Sequence, residues 1–166
     1  MATSKSYLAA PETAIVFTAS GGDVAFTLDS VATVSGRQSA QHDFGASARA
    51  FMFNWRAWVK IETTPVVGET IDFYYKSGYT TSTRLDNDDG TGDIAVSAED
   101  KLKNLKYIGA IVADEAAEVP MSASGIVYIP DRYVHVVWWN ASAAKNLSST
   151  AGDHKFLLTP IPYESQ

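Results

Sequence analysis

The sequence predicts an all-β protein, an antiparallel β-sandwich of the jelly-roll or Greek-key type with one short helix. Three observations predict it. One long segment alternates apolar and polar residues with the period of a strand, many short β-prone runs recur between Gly, Pro, Asn and Asp signals, and only one stretch has a helical pattern. Many strands with almost no helix are typical of two packed antiparallel sheets.

The long alternating segment covers residues 49–63. One side carries Phe51, Phe53, Trp55, Ala57, Val59 and Ile61, and the other carries Met52, Asn54, Arg56, Trp58, Lys60 and Glu62. A helix would scatter these aromatic residues around its whole circumference, because it repeats every 3.6 residues. The segment is therefore predicted to be a strand with one buried face.

The other elements follow from shorter signals. Residues 13–18 and 23–34, separated by Gly21 and Gly22, predict a hairpin, whereas the polar, aperiodic residues 35–47 predict a loop. Ser97 is the expected N-cap of the one short helix. Further strands are expected at residues 70–76, 80–85, 107–113, 125–129, 132–140 and 155–159.

The chain length of 166 residues suits one domain. Residues 13–160 are the predicted sandwich, preceded by a flexible arm, residues 1–12, and followed by a tail, residues 161–166. The first dozen residues are small and polar without a period, which is typical of a segment outside a core.

Charge and composition argue against several functions. The net charge is −6 and the basic residues are scattered, which disfavours direct nucleic-acid binding. With no cysteine there can be no disulfide and no thiolate metal site. No apolar run approaches the ~18 residues that span a bilayer, so we expect a protein made in the cytoplasm and not embedded in a membrane.

The motifs of catalysis are not found. His42, His135 and His154 lack the spacing of paired zinc ligands, and no nucleophile elbow or phosphate loop is present. The sequence therefore predicts a protein that binds, with no enzymatic activity and no cofactor. Two asparagines in glycosylation-like triplets, Asn140 and Asn146, are interpreted as polar turn residues.

An acidic loop is the best candidate for a metal site. Its carboxylates, from Asp86, Asp88, Asp89 and Asp93, could surround a calcium ion. Alignment to the helix-loop-helix calcium pattern places Ala98 where a bidentate Glu is needed, so a solvated loop is the favoured interpretation and calcium the alternative.

Aromatic residues are the candidates for an interface. Trp58 stands on the polar side of the long strand, and Trp138 and Trp139 must point to opposite faces of theirs. Either both faces are covered within one globule or a ring contributes to a contact with a partner. The candidate interface residues are Tyr7, Leu8, Trp58, Trp138 and Tyr163.

Residues 132–160 resemble the C-terminal pattern of small virion proteins of tailed bacteriophages. The strand Arg132-Tyr-Val-His-Val-Val-Trp-Trp-Asn140 is followed by Leu147-Ser-Ser-Thr150 and by Asp153-His-Lys-Phe-Leu-Leu-Thr-Pro160. The run Trp58-Val-Lys-Ile-Glu-Thr-Thr-Pro65, followed by Gly68-Glu-Thr-Ile-Asp-Phe-Tyr-Tyr75, is similar too. The sequence departs from that pattern at the second tryptophan of Trp138-Trp139, where the group has smaller residues.

The resemblance implies a β-sandwich component of the phage particle without inherited active-site residues. The expected role is a capsid decoration or cement protein, a homotrimer on the capsid surface that bridges neighbouring subunits of the major capsid protein. Residues 1–12 and 159–166 are the segments expected to add strands to a neighbour. The alternatives are a receptor- or carbohydrate-binding module of a tail fibre, or a tail or neck adaptor.

Overall fold

The computed structural model describes residues 6–8, 12–46, 49–80, 90–114, 119–161 and 163–165, the first and last of these ranges as backbone only. These ranges contain thirteen strands and one 3-10 helix, Glu99–Leu102. The strands are β1 (Ser6–Leu8), β2 (Ile15–Thr18), β3 (Val24–Ala25), β4 (Ser35–Gln38), β5 (His42–Asp43), β6 (Met52–Val59), β7 (Thr70–Gly78), β8 (Ile94–Val96), β9 (Lys106–Val112), β10 (Met121–Tyr128), β11 (Tyr133–Asn140), β12 (Lys155–Pro160) and β13 (Tyr163–Ser165).

Two sheets pack as a sandwich. The first has the strand order β10-β6-β12-β2-β3, and the second has the order β8-β4-β11-β7-β9, with β5 also paired to β11. Eight strands form four antiparallel pairs that are nested in chain order: β2 with β12, β4 with β11, β6 with β10 and β7 with β9. This nested pairing, split between two sheets, is a jelly roll and confirms the predicted fold class.

The long strand has the buried face that its sequence predicts. Within β6, Phe53, Trp55, Ala57 and Val59 are buried. Phe51 is the exception, since 46% of its surface is exposed. It precedes the first residue of β6 and lies beside the exposed Tyr128, with ring centroids 6.3 Å apart, so the expectation that it belongs to the core is wrong.

Aromatic rings from both sheets meet in the core. Trp55 and Phe156 belong to the first sheet and stack at 6.0 Å, and Phe73 and Trp138 belong to the second sheet and lie 4.7 Å apart. Phe73 and Phe156 meet across the sandwich at 6.1 Å. These four side chains, called the aromatic core below, join the inner faces of the two sheets.

Strand β11 is buried on both faces. Val134, Val136 and Trp138 belong to the main core, whereas Val137 and Trp139 pack with Val96 and Leu102 in a second cluster. That second cluster lies on the outer face of the second sheet, where Leu102 of the 3-10 helix packs against it. The same chain therefore covers both tryptophans.

The predicted hairpin near the N-terminus is wrong. β3 pairs with β2 in parallel, with Phe17 opposite Val24, and it is only two residues long. The Asp23 carboxylate accepts a hydrogen bond from Val16 N at 2.8 Å, and Asp23 N donates to Val16 O. These bonds return the chain to the level of Val16, so β3 runs in the same direction as β2. Phe26 is fully buried although it has left the sheet.

The predicted loop at residues 35–47 is also wrong, because it contains β4 and β5. Gln38 is buried, and its Nε2 donates to the carbonyl oxygens of Gly90 and Gly92, so a polar residue fills a core-like position. Gly36 lets β4 approach β11, since a Cβ there would lie 2.4 Å from Trp138 O. Neither feature gives an alternating pattern.

The helix is a single 3-10 turn, and its N-cap is Ala98 instead of the predicted Ser97. Ala98 is extended and makes no side-chain capping bond. Of the strand predicted at residues 80–85, residues 81–85 lie outside the described ranges.

Two glycines hold Trp55 between the edge strands of the two sheets. A Cβ at Gly109 in β9 would lie 2.8 Å from Trp55 Cζ2, and one at Gly125 in β10 would lie 2.8 Å from Trp55 Nε1. Any side chain at either position would displace the indole ring. Trp55 therefore fills the space between β9 and β10, and it needs a glycine on each flank.

Replacing Gly125 by alanine tests this packing. Gly125→Ala, and likewise Gly109→Ala, should lower the free energy of unfolding in urea by about 1–3 kcal/mol, the usual cost of overpacking a core. The matched control is Ser124→Ala, an exposed neighbour in β10, which should change it by about 0.5 kcal/mol or less. Equal effects at positions 124 and 125 would contradict the packing.

Candidate interaction surfaces

Trp138 was predicted as an interface residue, and the structure contradicts this. Its side chain is fully buried and lies edge-on to Phe26 at 5.6 Å. Alternation along β11 turns position 138 towards the other sheet, so the ring is part of the aromatic core. Trp138 therefore offers nothing to a partner.

The candidates at the chain ends lie in a separate two-stranded sheet. β1 and β13 pair with each other, Leu8 opposite Tyr163 and Tyr7 opposite Glu164. Their side chains lie outside what the structure describes, so their role as interface residues stays a prediction. Thr159, counted among the residues expected to add strands to a neighbour, belongs to β12 instead, opposite Asn54.

The acidic loop is only partly described. Asp86, Asp88 and Asp89 lie outside the described ranges. The carboxylate of Asp93 accepts hydrogen bonds from Arg37 Nε at 2.5 Å and Thr27 N at 2.8 Å, so it anchors β4. Within the described ranges, no three acidic or histidine side chains lie close enough together to hold a metal ion.

Trp58 lies on the outer face of the first sheet. Antiparallel register places side chains of β10, β6 and β12 in rows across this face, with Trp58 between Ser122 and Lys155. The guanidinium of Arg56 lies 4.8 Å from the centre of the Trp58 ring, within the range of a cation–π contact. Trp58 is half-buried, so part of its side chain is accessible to a ligand.

A groove of about 440 Å³ runs beside Trp58. Its lining combines two tryptophans and aliphatic carbon with amide, guanidinium and hydroxyl groups. The lining residues are Asn54, Trp55, Arg56, Trp58, Ser124, Gly125, Ile126, Leu157 and Thr159. An aromatic platform with several polar groups around it suits a polar ligand with an apolar face.

Four loops meet at one end of the sandwich, and backbone hydrogen bonds tie them together. Leu147 N donates to Val31 O at 3.0 Å, Ser148 N to Lys60 O at 2.9 Å, and Gly68 N to Ala113 O at 2.8 Å. The connections β3–β4, β6–β7, β9–β10 and β11–β12 all reach this end, because their strands begin or finish there. The loops therefore form one bonded surface.

Asn140 contributes to this bonding and was misread as a turn residue. It is the last residue of β11 and is buried, and its Nδ2 donates to the carbonyl oxygens of Val31, Ala32 and Lys145. Its Oδ1 accepts from Ser142 N at 3.1 Å. One side chain thereby satisfies backbone groups of two loops.

Exposed valines lie on these loops or at the strand end next to them. Val67 is 62% exposed and Val112 52% exposed, although valine is among the residues most often buried. The set, called the valine end below, consists of Val34, Val66, Val67, Val112 and Val119. Its one visible sequence signal is the pair Val66-Val67 between Pro65 and Gly68; the other three lie apart in the sequence and are joined only by the fold.

The comparisons with known proteins give no assignment. No protein-family model matches the chain, and no curated protein matches it. In the part of the chain that the structure describes, there is no helix long and apolar enough to cross a membrane.

His154 forms hydrogen bonds to two of the loops that carry the valine end. It is buried, its Nε2–H donates to Ser148 O at 3.0 Å, and its Nδ1 accepts from Lys60 N at 3.4 Å. The bond from Lys60 N needs the neutral ring, because a protonated Nδ1 has no lone pair to accept it. Burial lowers the pKa of His154 below its usual 6.5, and burial likewise lowers the pKa of His42.

Stability should therefore decline in mild acid. Unfolded histidine titrates near 6.5, above its pKa in the fold, so between the two values the unfolded chain binds more protons. The contribution of the neutral histidines to the free energy of unfolding should be fully present above pH 6.5 and should decrease as the pH falls below that value. Urea unfolding from about pH 8 to about pH 5 measures this slope.

His154→Gln should reduce the dependence of the free energy of unfolding on pH. His42→Gln should reduce it by less, because the His42 ring is less buried. A slope that is the same in wild type and in His154→Gln would contradict the role of the neutral ring.

Proposed function

We propose that this chain is a non-enzymatic structural protein of a tailed-phage particle, a decoration or cement protein on the capsid surface that bridges neighbouring subunits of the major capsid protein. The phage context is supported by the resemblance of residues 132–160 to small virion proteins. The resemblance implies a β-sandwich, and the jelly roll agrees with that implication.

The valine end is the observation that carries the proposal. Large apolar side chains exposed together on one surface are typical of sites where another protein binds. Burying apolar surface yields about 25 cal/mol per Å², so several half-exposed valines add up to a useful share of a protein contact. The partner surface would be apolar and would present complementary hollows.

The bonding beneath the valines supports a rigid contact. The loops are joined by backbone bonds and by Asn140, and Glu69 accepts from Ser142 Oγ at 2.6 Å and from Ala143 N at 3.0 Å. A surface that is ordered before binding loses little conformational entropy on docking. Such a surface suits a protein that clamps an assembled shell.

Binding to shells tests the proposal. The protein should sediment with expanded empty capsids built from the major capsid protein of the same genome, and it should not bind the unassembled subunits, because the site exists only where subunits meet. Val67→Asp and Val112→Asp should each weaken binding by about tenfold or more, since each buries a charge in an apolar contact.

The matched control is Tyr79→Asp. Tyr79 is 73% exposed and follows the far end of β7, away from the valine end, so this variant should bind shells as wild type does. Equal binding to free subunits, or undiminished binding by both valine variants, would contradict the proposal. A copy number of a dozen or fewer in purified particles would point instead to a tail or neck adaptor.

The groove beside Trp58 favours a second candidate, a carbohydrate-binding module of a tail fibre. Sugar rings stack on aromatic faces, and Asn54, Arg56 and Thr159 supply hydrogen-bonding groups around the ring. A glycan array separates the two functions: a specific signal lost in Trp58→Ala, but kept in the exposed control Tyr107→Ala, would support sugar binding over capsid binding.

A further inference from the structure

Strand β10 is an open edge of the first sheet. It pairs with β6 on one side, and no strand of the described residues pairs with its other side; β9 of the second sheet approaches β10 without pairing with it. Natural proteins protect such edges with charges, prolines, bulges or short strands. β10 has none of these: it is eight residues long, Met121-Ser-Ala-Ser-Gly-Ile-Val-Tyr128, uncharged and without a register shift.

The hydrogen-bonding direction of each residue follows from the ladder. Ile129 N donates to Phe51 O at 2.8 Å, which makes this a bonded pair in the same register as β10 and β6. Each residue of an antiparallel strand directs its N–H and its C=O to the same side, and the next residue directs both groups to the opposite side. The odd-numbered residues of β10 therefore face β6, and the even-numbered residues face outward.

The outward residues are Ser122, Ser124, Ile126 and Tyr128. Tyr128 O accepts from Tyr75 Oη at 2.7 Å, which agrees with this direction. Within the described ranges, the backbone groups of Ser122, Ser124 and Ile126 make no hydrogen bond to another strand. Their side chains are exposed on the outer face, Ile126 to 62%.

The edge is complementary to a second copy of itself. A two-fold axis at Gly125 places Ser124 opposite Ile126 and Ser122 opposite Tyr128, so each small side chain faces a large one. All four residues turn their backbone groups outward, and the carbonyl oxygen of Tyr128, which already accepts from Tyr75 Oη, has a second lone pair, so the bonded pairs of an antiparallel ladder can form. The absence of charge on β10 also matters, because two copies of a chain with net charge −6 repel each other elsewhere.

We propose that two copies of this chain pair through β10, antiparallel about a two-fold axis at Gly125, and join their first sheets into one continuous sheet. The inference is independent of capsid binding, since it uses neither the valine end nor a partner from the particle. It differs from the trimer that the family resemblance predicts, because a two-fold edge contact closes with two chains.

Sedimentation equilibrium of the purified 166-residue chain tests the pairing. Wild type should be a dimer. Ser124→Pro removes an outward N–H without touching the ladder to β6, and Ile126→Lys places two like charges beside the axis. Each should weaken the dimer by about tenfold or more. The matched control is Thr159→Lys, in the same row of the outer face but on β12, which should leave the dimer intact.

Engineered cysteines test the register. Residues of a bonded antiparallel pair have Cα atoms about 5.5 Å apart, which suits a disulfide. Because the chain has no cysteine, a mixture of Ser124→Cys and Ile126→Cys should form a disulfide between the two variants faster than either variant forms one alone.

The outcomes separate clearly. A wild-type monomer at the highest soluble concentration, a trimer, or a dimer unaffected by Ile126→Lys would overturn the proposal. If Ser124→Pro fails to fold by circular dichroism, Ile126→Lys and the cysteine pair decide. A dimer that persists without preference for the mixed disulfide would also overturn it, because the pairing would then use another surface.

Discussion

The contact between the two sheets through the aromatic core is the interaction on which the rest of the structure depends. Trp55 and Phe156 from one sheet meet Phe73 and Trp138 from the other, with Phe73 and Phe156 in direct contact. The valine end uses loops from strands of both sheets, and the outer edge at β10 is placed by Trp55. Both surfaces exist only while the rings keep the sheets aligned.

Much of the fold could be predicted from the sequence where one face of a strand is buried and the other is not. β6 shows this best, because its alternation of large apolar and polar residues has only one structural interpretation. β4 and β3 could not be found in this way. Gln38 is buried through hydrogen bonds to Gly90 and Gly92, and the parallel pairing of β3 depends on Asp23 bonding Val16. Such tertiary bonds leave no periodic signal.

The candidate surfaces were less predictable than the fold. Trp58 could be found because it interrupts a polar face. The double tryptophan could not be interpreted, since β11 is covered on both sides and alternation cannot distinguish a core ring from an exposed one. The valine end could not be predicted from the sequence, apart from Val66-Val67, because only the nested pairing of the strands places its residues at the same end of the sandwich.

The most direct test of the account is a double-mutant cycle between the sheets, using Phe73→Leu, Phe156→Leu and the double variant, with the free energy of unfolding measured in urea. Because these rings touch across the sandwich, we predict a coupling free energy of about 0.5–1.5 kcal/mol. Effects that add within about 0.3 kcal/mol would show two independent sites and contradict the aromatic core as the link between the sheets.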